Sequence, residues 1–456
     1  MSAAPSPPTP DRAPDPALLR RVALSSLLGT VIEYYDFLLY GTMAALAFGP
    51  LFFPGDDPLT GTIAAFGTLA AGYVARPLGG AVFGHFGDRL GRRSMLVLTM
   101  VLMGVASFLI GVLPTYGTIG VAAPVLLVLF RVVQGLAIGG EWAGATLMVV
   151  EHADPRRRGL WSGLMQMGSP LGFLLSTVAV ALVSLLPRAA FLEWGWRLPF
   201  LFSAVLLAVG LYVRLSVTES PLFRQSAARD GARTGDVPLA RVLRRPRTLV
   251  LACGVGIGPF ALTALISTFM LTYATGIGYT TSQVMTGMVF TSLAGLVAIP
   301  LFSALSDRAG RRAVVLGGAA GAVVLAFPVY ALVDTKVPAL LVAGMVLGQI
   351  AQSAMYAPLG PLLSELFGTR VRYTGASLGY QLAALVGGGF TPLLAGGLLA
   401  DRAGSAPLAV LAVVCGLVTA LAIWRTAETR GRDLSEEDPP PPGTTTVPAV
   451  GKGAEA

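Results

Sequence analysis

The chain has 456 residues, 54% of them hydrophobic and only 12% charged, with a formal net charge of +8 and a mean hydropathy of +0.72. A soluble globular domain carries about 25% charged residues, so the composition excludes a soluble fold and points to a chain embedded in lipid. Two histidines and two cysteines, far apart in sequence, leave no cluster for a metal site or a nucleophilic enzyme, and Cys253 and Cys415 read as small core hydrophobes.

The first 21 residues are Pro-rich and lack the short apolar core of a signal peptide, so they read as a disordered tail. Twelve apolar runs follow, at 22–48, 59–86, 94–113, 119–150, 159–186, 197–217, 248–274, 282–305, 313–333, 338–366, 373–400 and 406–426. About 20 residues of helix cross the roughly 30 Å of a bilayer's hydrocarbon core. Backbone groups in lipid need partners within their own segment, so the runs are helices. Between the sixth and seventh runs lies an Arg-rich linker, 218–247, and after the last a second disordered tail, 427–456. The fold expected is an all-α membrane protein of twelve transmembrane helices in two six-helix bundles, 22–217 and 248–426.

Nearly all of the 32 Lys and Arg fall in one set of alternate loops and tails. The other set holds only Arg188, Arg197, Lys336 and Arg402, while Arg76 and Arg131 lie within runs. This bias places both termini and the linker in the cytoplasm of a cell whose plasma membrane the chain spans. The positive charge is therefore topological, and nucleic acid is not a partner; the bilayer is.

The first run contains "GTVIEYYDFLLYG", which puts two carboxylates inside the membrane at a cost of about 2.5–3.5 kcal/mol each on insertion scales. Counting from the cytoplasmic end, Glu33 sits about 17 Å and Asp36 about 21 Å into the bilayer, with Arg76 about 15 Å into the second helix. Arg131 reaches similar depth from the other side. Glu33, Asp36 and Tyr40 share one helix face, and Arg131 and Gln134 share another. Ionised, the four charges sum to zero; protonating one carboxylate leaves a net positive layer that favours an anionic substrate group. Glu33 and Asp36 are thus the candidate proton-coupling pair, and Arg76 and Arg131, with Tyr40 and Gln134, the candidate substrate clamp, using the fork that Arg presents to carboxylates. Simple pairing that holds the bundle together is the alternative.

The two halves repeat. "GHFGDRLGRR" at 84–93 returns as "SALSDRAGRR" at 303–312, and "RGLWSG" at 158–163 is echoed by "RYTGASLG" at 372–379. Parallel repeats of this kind are a carrier architecture with the substrate site between halves. Asp88, Arg89, Arg92 and Arg93 with Glu141 and Glu151, and Asp307, Arg308, Arg311 and Arg312 in the second half, form a candidate cytoplasmic gate. The second half has no midplane charge; its candidate substrate contacts are Gln349, Gln352 and Tyr356 on the tenth helix and Gln381 on the eleventh.

The D-R-x-G-R-R loop and its copy resemble the signature of the major facilitator superfamily. "EYYDFLLYG", "ARPLGGAVFGHFGDRLGRR", "FRVVQGLAIGGEWAGA", "WGWRLPF" and "VRYTGASLGYQLA" more narrowly resemble its metabolite:proton symporter family, across roughly residues 20–430. The resemblance implies a twelve-helix carrier that alternates between inward- and outward-open states and imports small carboxylates or zwitterions such as oxoglutarate, citrate, shikimate, proline or betaine with protons. "GSPLG" at 168–172 is similar to an exchanger motif, which keeps an antiporter or efflux carrier as the alternative; a non-transporting membrane sensor is more distant. No Walker-type Gly-x-x-x-x-Gly-Lys sequence is present, so ATP drive and a cofactor are not expected.

Overall fold

The computed structural model describes residues 16–55, 58–215, 219, 238–400 and 404–434. The remainder of both expected tails and most of the linker lie outside the described residues. Among the described residues, eleven helices are long and apolar enough to cross a membrane: α1 Ala17–Phe52, α3 Arg92–Val112, α4 Ala122–His152, α5 Arg158–Val183, α6 Arg188–Leu215, α7 Pro246–Gly276, α8 Thr281–Ala309, α9 Arg311–Asp334, α10 Pro338–Leu366, α11 Arg372–Leu399 and α12 Ala406–Trp424. The remaining long helix, α2, Pro58–Leu90, has 33 residues. The surface is apolar where lipid covers it. On α2, Val74, Leu78, Val82, Phe86 and Leu90 recur every fourth position, and all are exposed, a single stripe facing outward.

Two tail boundaries differ from expectation. Residues 16–21, expected in the first tail, are already helical, and Leu19 among them is buried. Residues 427–434, expected in the second tail, fold back onto the protein: Leu434 is buried and Thr429 donates to Glu365.

α2 and α4 are held backbone to backbone. A Cβ at Gly135 would lie 2.2 Å from the Gly72 carbonyl oxygen, and one at Gly139 would lie 2.2 Å from that of Arg76. Only small residues allow such an approach, which maximises dispersion contact where no hydrophobic force drives helices together. Its consequence for the site is that Arg76 and Arg131 stand side by side.

One hydrophobic cluster joins Phe83, Trp142 and Met165 of the first six helices to Phe260, Leu362, Tyr373 and Tyr380 of the last six. Two other clusters stay within one half each, around Phe48 and Trp196 and around Tyr330 and Met345. The shared cluster lies toward the face that carries both ends of the described chain, called here the terminal face. The halves are therefore sealed together there. The tight turns of the repeated loops make this possible: Gly91 and Gly310 have φ of +104° and +99°, a region essentially restricted to glycine.

Candidate functional site

α1 runs through the centre of the first half, and its face bearing Glu33, Phe37 and Tyr40 looks toward α2 and α4. The Arg76 guanidinium carbon lies 4.5 Å from the Phe37 ring centre and 4.7 Å from that of Tyr73. Arg131 lies 5.2 Å from Phe37 and 4.3 Å from Tyr40, so both cations share one aromatic ring. Each gains cation–π attraction that is strongest where water is excluded, and their residues are 7% and 1% exposed.

The four midplane charges do not pair with one another. Among the described residues no ion pair joins Glu33 or Asp36 to Arg76 or Arg131. Asp36 is turned toward α3 and α6, where the Ser107 and Ser203 hydroxyls donate to it at 2.6 and 2.5 Å. Gln134 links the two systems: its amide donates to Ser107 at 2.7 Å and its carbonyl accepts from Arg131 at 3.1 Å. Tyr40 shares a 2.5 Å hydrogen bond with Thr68. Glu33 keeps one buried carboxylate oxygen without any hydrogen-bond partner, and its charged neighbours are Arg76, Glu141 and Arg214.

The second-half candidates separate into three places. Gln349 and Gln352 line a narrow cleft between α1, α5, α7, α8 and α10, together with Thr263, Ser267 and Leu38. Gln349 donates to Gln352 at 3.0 Å, and Gln352 to Thr263 at 3.0 Å. The cleft takes Leu38 from α1, whereas the arginines meet Phe37, one position and about 100° around the helix; the two sets of candidates are not brought into one pocket. Tyr356 instead meets Tyr34 and Tyr380, their three hydroxyls mutually 3.0–3.2 Å apart, with Trp142 stacked on Tyr380 at 3.5 Å. Gln381 is spent on the backbone, donating to the Ile138 and Gly139 carbonyls of α4 at 3.1 and 3.3 Å.

On the terminal face the repeat builds the same device twice. Asp88, near the end of α2, accepts from the backbone N–H groups of Tyr373 and Thr374 at 3.2 and 3.0 Å. Asp307, near the end of α8, accepts from those of Gly159 and Leu160, both at 2.8 Å. Each aspartate caps the first turn of a helix in the other half, where N–H groups lack intrahelical partners and the macrodipole favours an anion. Glu151 pairs with Arg92 and, across the seam, with Arg372 at 3.2 Å; Glu365 pairs with Arg311 at 3.5 Å.

Five of the expected gate residues lie elsewhere. Arg89 and Arg308 are exposed. The Arg93 and Arg312 guanidiniums donate to the Leu215 and Trp424 carbonyls, 2.7 and 2.8 Å away, at the ends of α6 and α12 in their own halves. Glu141 pairs with Arg214 and accepts from Thr99 at 2.8 Å; ten positions before Glu151, it sits about 15 Å deeper along α4, out of reach of the loop.

Sequence reasoning passed over Arg158, Arg372 and Glu365. The signal was present: Arg158 and Arg372 open the echoed "RGLWSG" and "RYTGASLG", and Glu151 and Glu365 precede them by the same spacing. Tyr34, Ser107 and Ser203 carried no signal, since each is an ordinary residue in an apolar run.

The sequence matches the Major Facilitator Superfamily over residues 26–297 and 263–452. It is 38% identical to an inner membrane metabolite transport protein of Escherichia coli strain K12, over 91% of this chain and 95% of that one. It is 41% identical to the shikimate transporter of the same strain, over 85% and 89% of the two chains, and 34% identical to its proline/betaine transporter, over 91% and 85%. Among solved structures, the fold is similar to a major facilitator proton:xylose symporter bound to 6-bromo-6-deoxy-D-glucose, with a TM-score of 0.72 at 18% identity over 92% and 98% of the chains.

Proposed function

The chain belongs to the major facilitator superfamily, and from that premise we propose that it is a proton-coupled carrier that imports a small carboxylate or zwitterionic metabolite by alternating access. It is a multi-pass membrane transporter; substrate class, coupling and orientation are the proposal.

The observation that carries it is the pair of buried guanidiniums of Arg76 and Arg131, side by side on Phe37 with no carboxylate in ion-pairing range among the described residues. A buried cation without a counter-ion is costly. A substrate carboxylate supplies the missing charge, and the forked geometry of Arg suits it. Aromatic rings around the same point also accept a quaternary or secondary ammonium, so a zwitterion fits at both ends. Relatives named for shikimate and for proline and betaine agree with that class.

Glu33 is the proton carrier. A carboxylate that stays ionised in a membrane needs donors, and Asp36 has two hydroxyls, whereas one Glu33 oxygen has none. Glu33 is also coupled to Arg76 and lies beside the tyrosine cluster that joins the halves. Taking a proton there removes the negative charge that acts on Arg76 and raises the attraction of the pair for an anion.

The loops of the terminal face hold nearly all the Lys and Arg, which supports a cytoplasmic position for that face and both termini of an inner-membrane carrier. With Asp88, Asp307 and Glu151 tying the halves there, the arrangement is closed inside, and the Gln349–Gln352 cleft belongs to the path from outside. "GSPLG" falls where α5 bends, with Gly168 and Gly172 packed on Thr30 and Tyr34 of α1, a packing role that needs no exchanger.

Proteoliposome uptake of labelled shikimate, proline, glycine betaine and oxoglutarate, with and without an inward proton gradient, tests the reading. Gradient-stimulated uptake of at least one compound is expected. A carrier that accumulates none of them, or does so equally without the gradient, overturns it.

A further inference from the structure

Glu141 is a buried charge that neither the arginine pair nor the seam uses. It lies on α4 well within the membrane, 1% exposed, paired with Arg214 of α6 and accepting from Thr99 of α3 at 2.8 Å. A Cβ at Gly29 of α1 would stand 2.7 Å from Glu141 Oε1 and 2.9 and 3.0 Å from Arg214 Nη1 and Nη2, so the pair abuts bare backbone there. Glu33 is four positions further along the same face of α1, about 6 Å along its axis. Two buried atoms of this group have no hydrogen-bond partner among the described residues: Glu33 Oε2 and Arg214 Nη2.

We propose that Glu141 is a second proton station, and that Tyr373 of the second half is the plug that keeps its proton from the terminal face until the seam opens. The inference rests on the reading of Glu33 as proton carrier and adds how that proton leaves. The O–H bond of the Glu33 carboxyl breaks and one forms on the Glu141 carboxylate, through one bridging water across the ~6 Å span. The Glu141 proton then passes to water, and Arg214 stays a guanidinium throughout.

Charge balance permits the transfer. Glu33 has Arg76, Glu141 and Arg214 as its charged neighbours. The four sum to zero when all are ionised and to +1 with one proton, whichever acid holds it. The step therefore moves charge by one helical turn and creates none in the membrane, which is how intramembrane acids serve as proton relays. The other titratable side chains that face these acids among the described residues are phenols, neutral near pH 7: Tyr34, Tyr356 and Tyr380 beside Glu33, and Tyr373 beside Glu141 and Arg214.

Tyr373 is placed to shut the way out. It stands in the first turn of α11, and its backbone N–H is one of the two that Asp88 caps. Its side chain enters the first half, where the hydroxyl donates at 2.8 Å to the carbonyl of Gly140, the residue before Glu141. A Cβ at Gly87 of α2 or at Gly144 of α4 would overlap the Tyr373 side chain, so the ring is held between those two helices, fully buried. One residue is thus tied at its backbone to the aspartate cap and at its ring to the turn that bears Glu141. Parting the halves draws the ring out with α11 and opens that turn to the terminal side. A proton on Glu141 then leaves only when the terminal face opens, and none leaks while it is shut.

The experiment uses the full-length protein in proteoliposomes with a pH-sensitive dye inside. Gradient-stimulated uptake by the wild type is measured first; its absence is the failure of the proton-coupled reading itself. Without substrate, the wild type should hold an imposed pH gradient, and Tyr373→Ala should dissipate it several-fold faster. Adding Glu141→Gln or Glu33→Gln to Tyr373→Ala should restore the wild-type rate. With substrate, Glu141→Gln should lower Vmax of gradient-driven uptake about tenfold or more, with KM and counterflow near the wild type. Glu141→Asp, which keeps a carboxylate, should recover most of that loss. No leak in Tyr373→Ala overturns the plug. A leak that Glu141→Gln leaves unchanged, or wild-type Vmax in Glu141→Gln, overturns the station. Counterflow lost together with accumulation, and not recovered by Glu141→Asp, assigns the pair to packing and overturns the station as well. Melting temperature and gel-filtration profile of each variant establish that it is folded.

Discussion

Asp88 and Thr374, 286 positions apart in the chain, are joined twice: the Thr374 backbone N–H donates to the Asp88 carboxylate at 3.0 Å and its hydroxyl at 2.8 Å. A residue of the first half thereby serves as the N-terminal cap of a helix in the second. Asp307 returns the favour at α5. Helix capping is usually a local matter, settled within a few residues of the cap. Here each half leaves one helix start uncapped until the other half closes on it, so terminal-face closure and helix completion are one event.

Removing either cap should therefore open the terminal face rather than unfold the protein. Loss of a capping side chain costs about 0.5–2 kcal/mol, which is a shift of about two- to thirtyfold in the closed-to-open ratio. The reporter is a cysteine replacing buried Ser162 in a background with Cys253 and Cys415 changed to Ala, alkylated by a bulky maleimide from the terminal side. Asp88→Ala and Asp307→Ala should each raise the alkylation rate, and the double variant should raise it further. An unchanged rate in both single variants would remove the capping aspartates from the closure.

Arg131 should not tolerate lysine. Its guanidinium donates to Gln134 while lying over Tyr40 and near Phe37, three contacts that a single ammonium cannot make together. A hydrogen bond to a charged group contributes about 1.5–3 kcal/mol, so Arg131→Lys should weaken substrate binding about ten- to hundredfold and Arg131→Gln further. Isothermal titration with whichever compound proves to be transported gives the numbers. Wild-type affinity in Arg131→Lys would mean that the substrate carboxylate lies elsewhere.

The twelve apolar runs and the repeated loop were legible because both are one-dimensional signals: a bilayer demands a fixed length of apolar chain, and a duplicated half repeats its own letters. Which charges would meet was less so. Depth alone grouped Glu33, Asp36, Arg76 and Arg131, and they do share a layer. Depth does not say which way a side chain turns, and Asp36 turns away to two serines that hold no charge and carried no warning. The same limit applies to Gln381, expected as a substrate contact but committed to the α4 carbonyls. Glu141 failed for a different reason, since ten residues of helix separate it from the gate that Glu151 reaches. Glu365 and Arg158 were recoverable, had the second repeat been followed as far as the first.

The two acids of α1 should behave differently when neutralised. Glu33→Gln removes the group whose carboxylate oxygen has no donor and leaves Asp36 in place with Ser107 and Ser203. This variant should still exchange labelled for unlabelled substrate across the membrane but lose accumulation driven by a proton gradient. Asp36→Asn instead disturbs the chain that runs through Ser107 and Gln134 to Arg131, so it should raise KM several-fold while accumulation remains gradient-dependent. Counterflow and gradient-driven uptake, measured side by side in proteoliposomes, separate the two. If Glu33→Gln accumulates substrate like the wild type, the proton is carried by another group.

The segment after α12 works as a strap on the terminal face, and its removal should be felt across the seam. The Glu428 carboxylate accepts from the Arg311 and Arg312 N–H groups at 2.9 and 3.1 Å, capping α9. The Leu434 carbonyl accepts from Arg372 and Thr369, each at 2.7 Å. The strap also reaches the other half, where Arg158 donates to the Arg432 carbonyl at 2.7 Å. Arg372, which pairs with Glu151 across the seam, and its counterpart Arg158 are thus both held by the strap. Burying a leucine contributes about 1.5–3 kcal/mol and the cap about 1 kcal/mol. A chain ended after Thr426 should therefore melt at a lower temperature and alkylate faster at the Ser162→Cys reporter. Glu428→Ala should reproduce part of the loss in melting temperature, and Leu434→Ala a larger part. If the shortened chain matches the full one in both measurements, the strap carries no share of terminal-face closure.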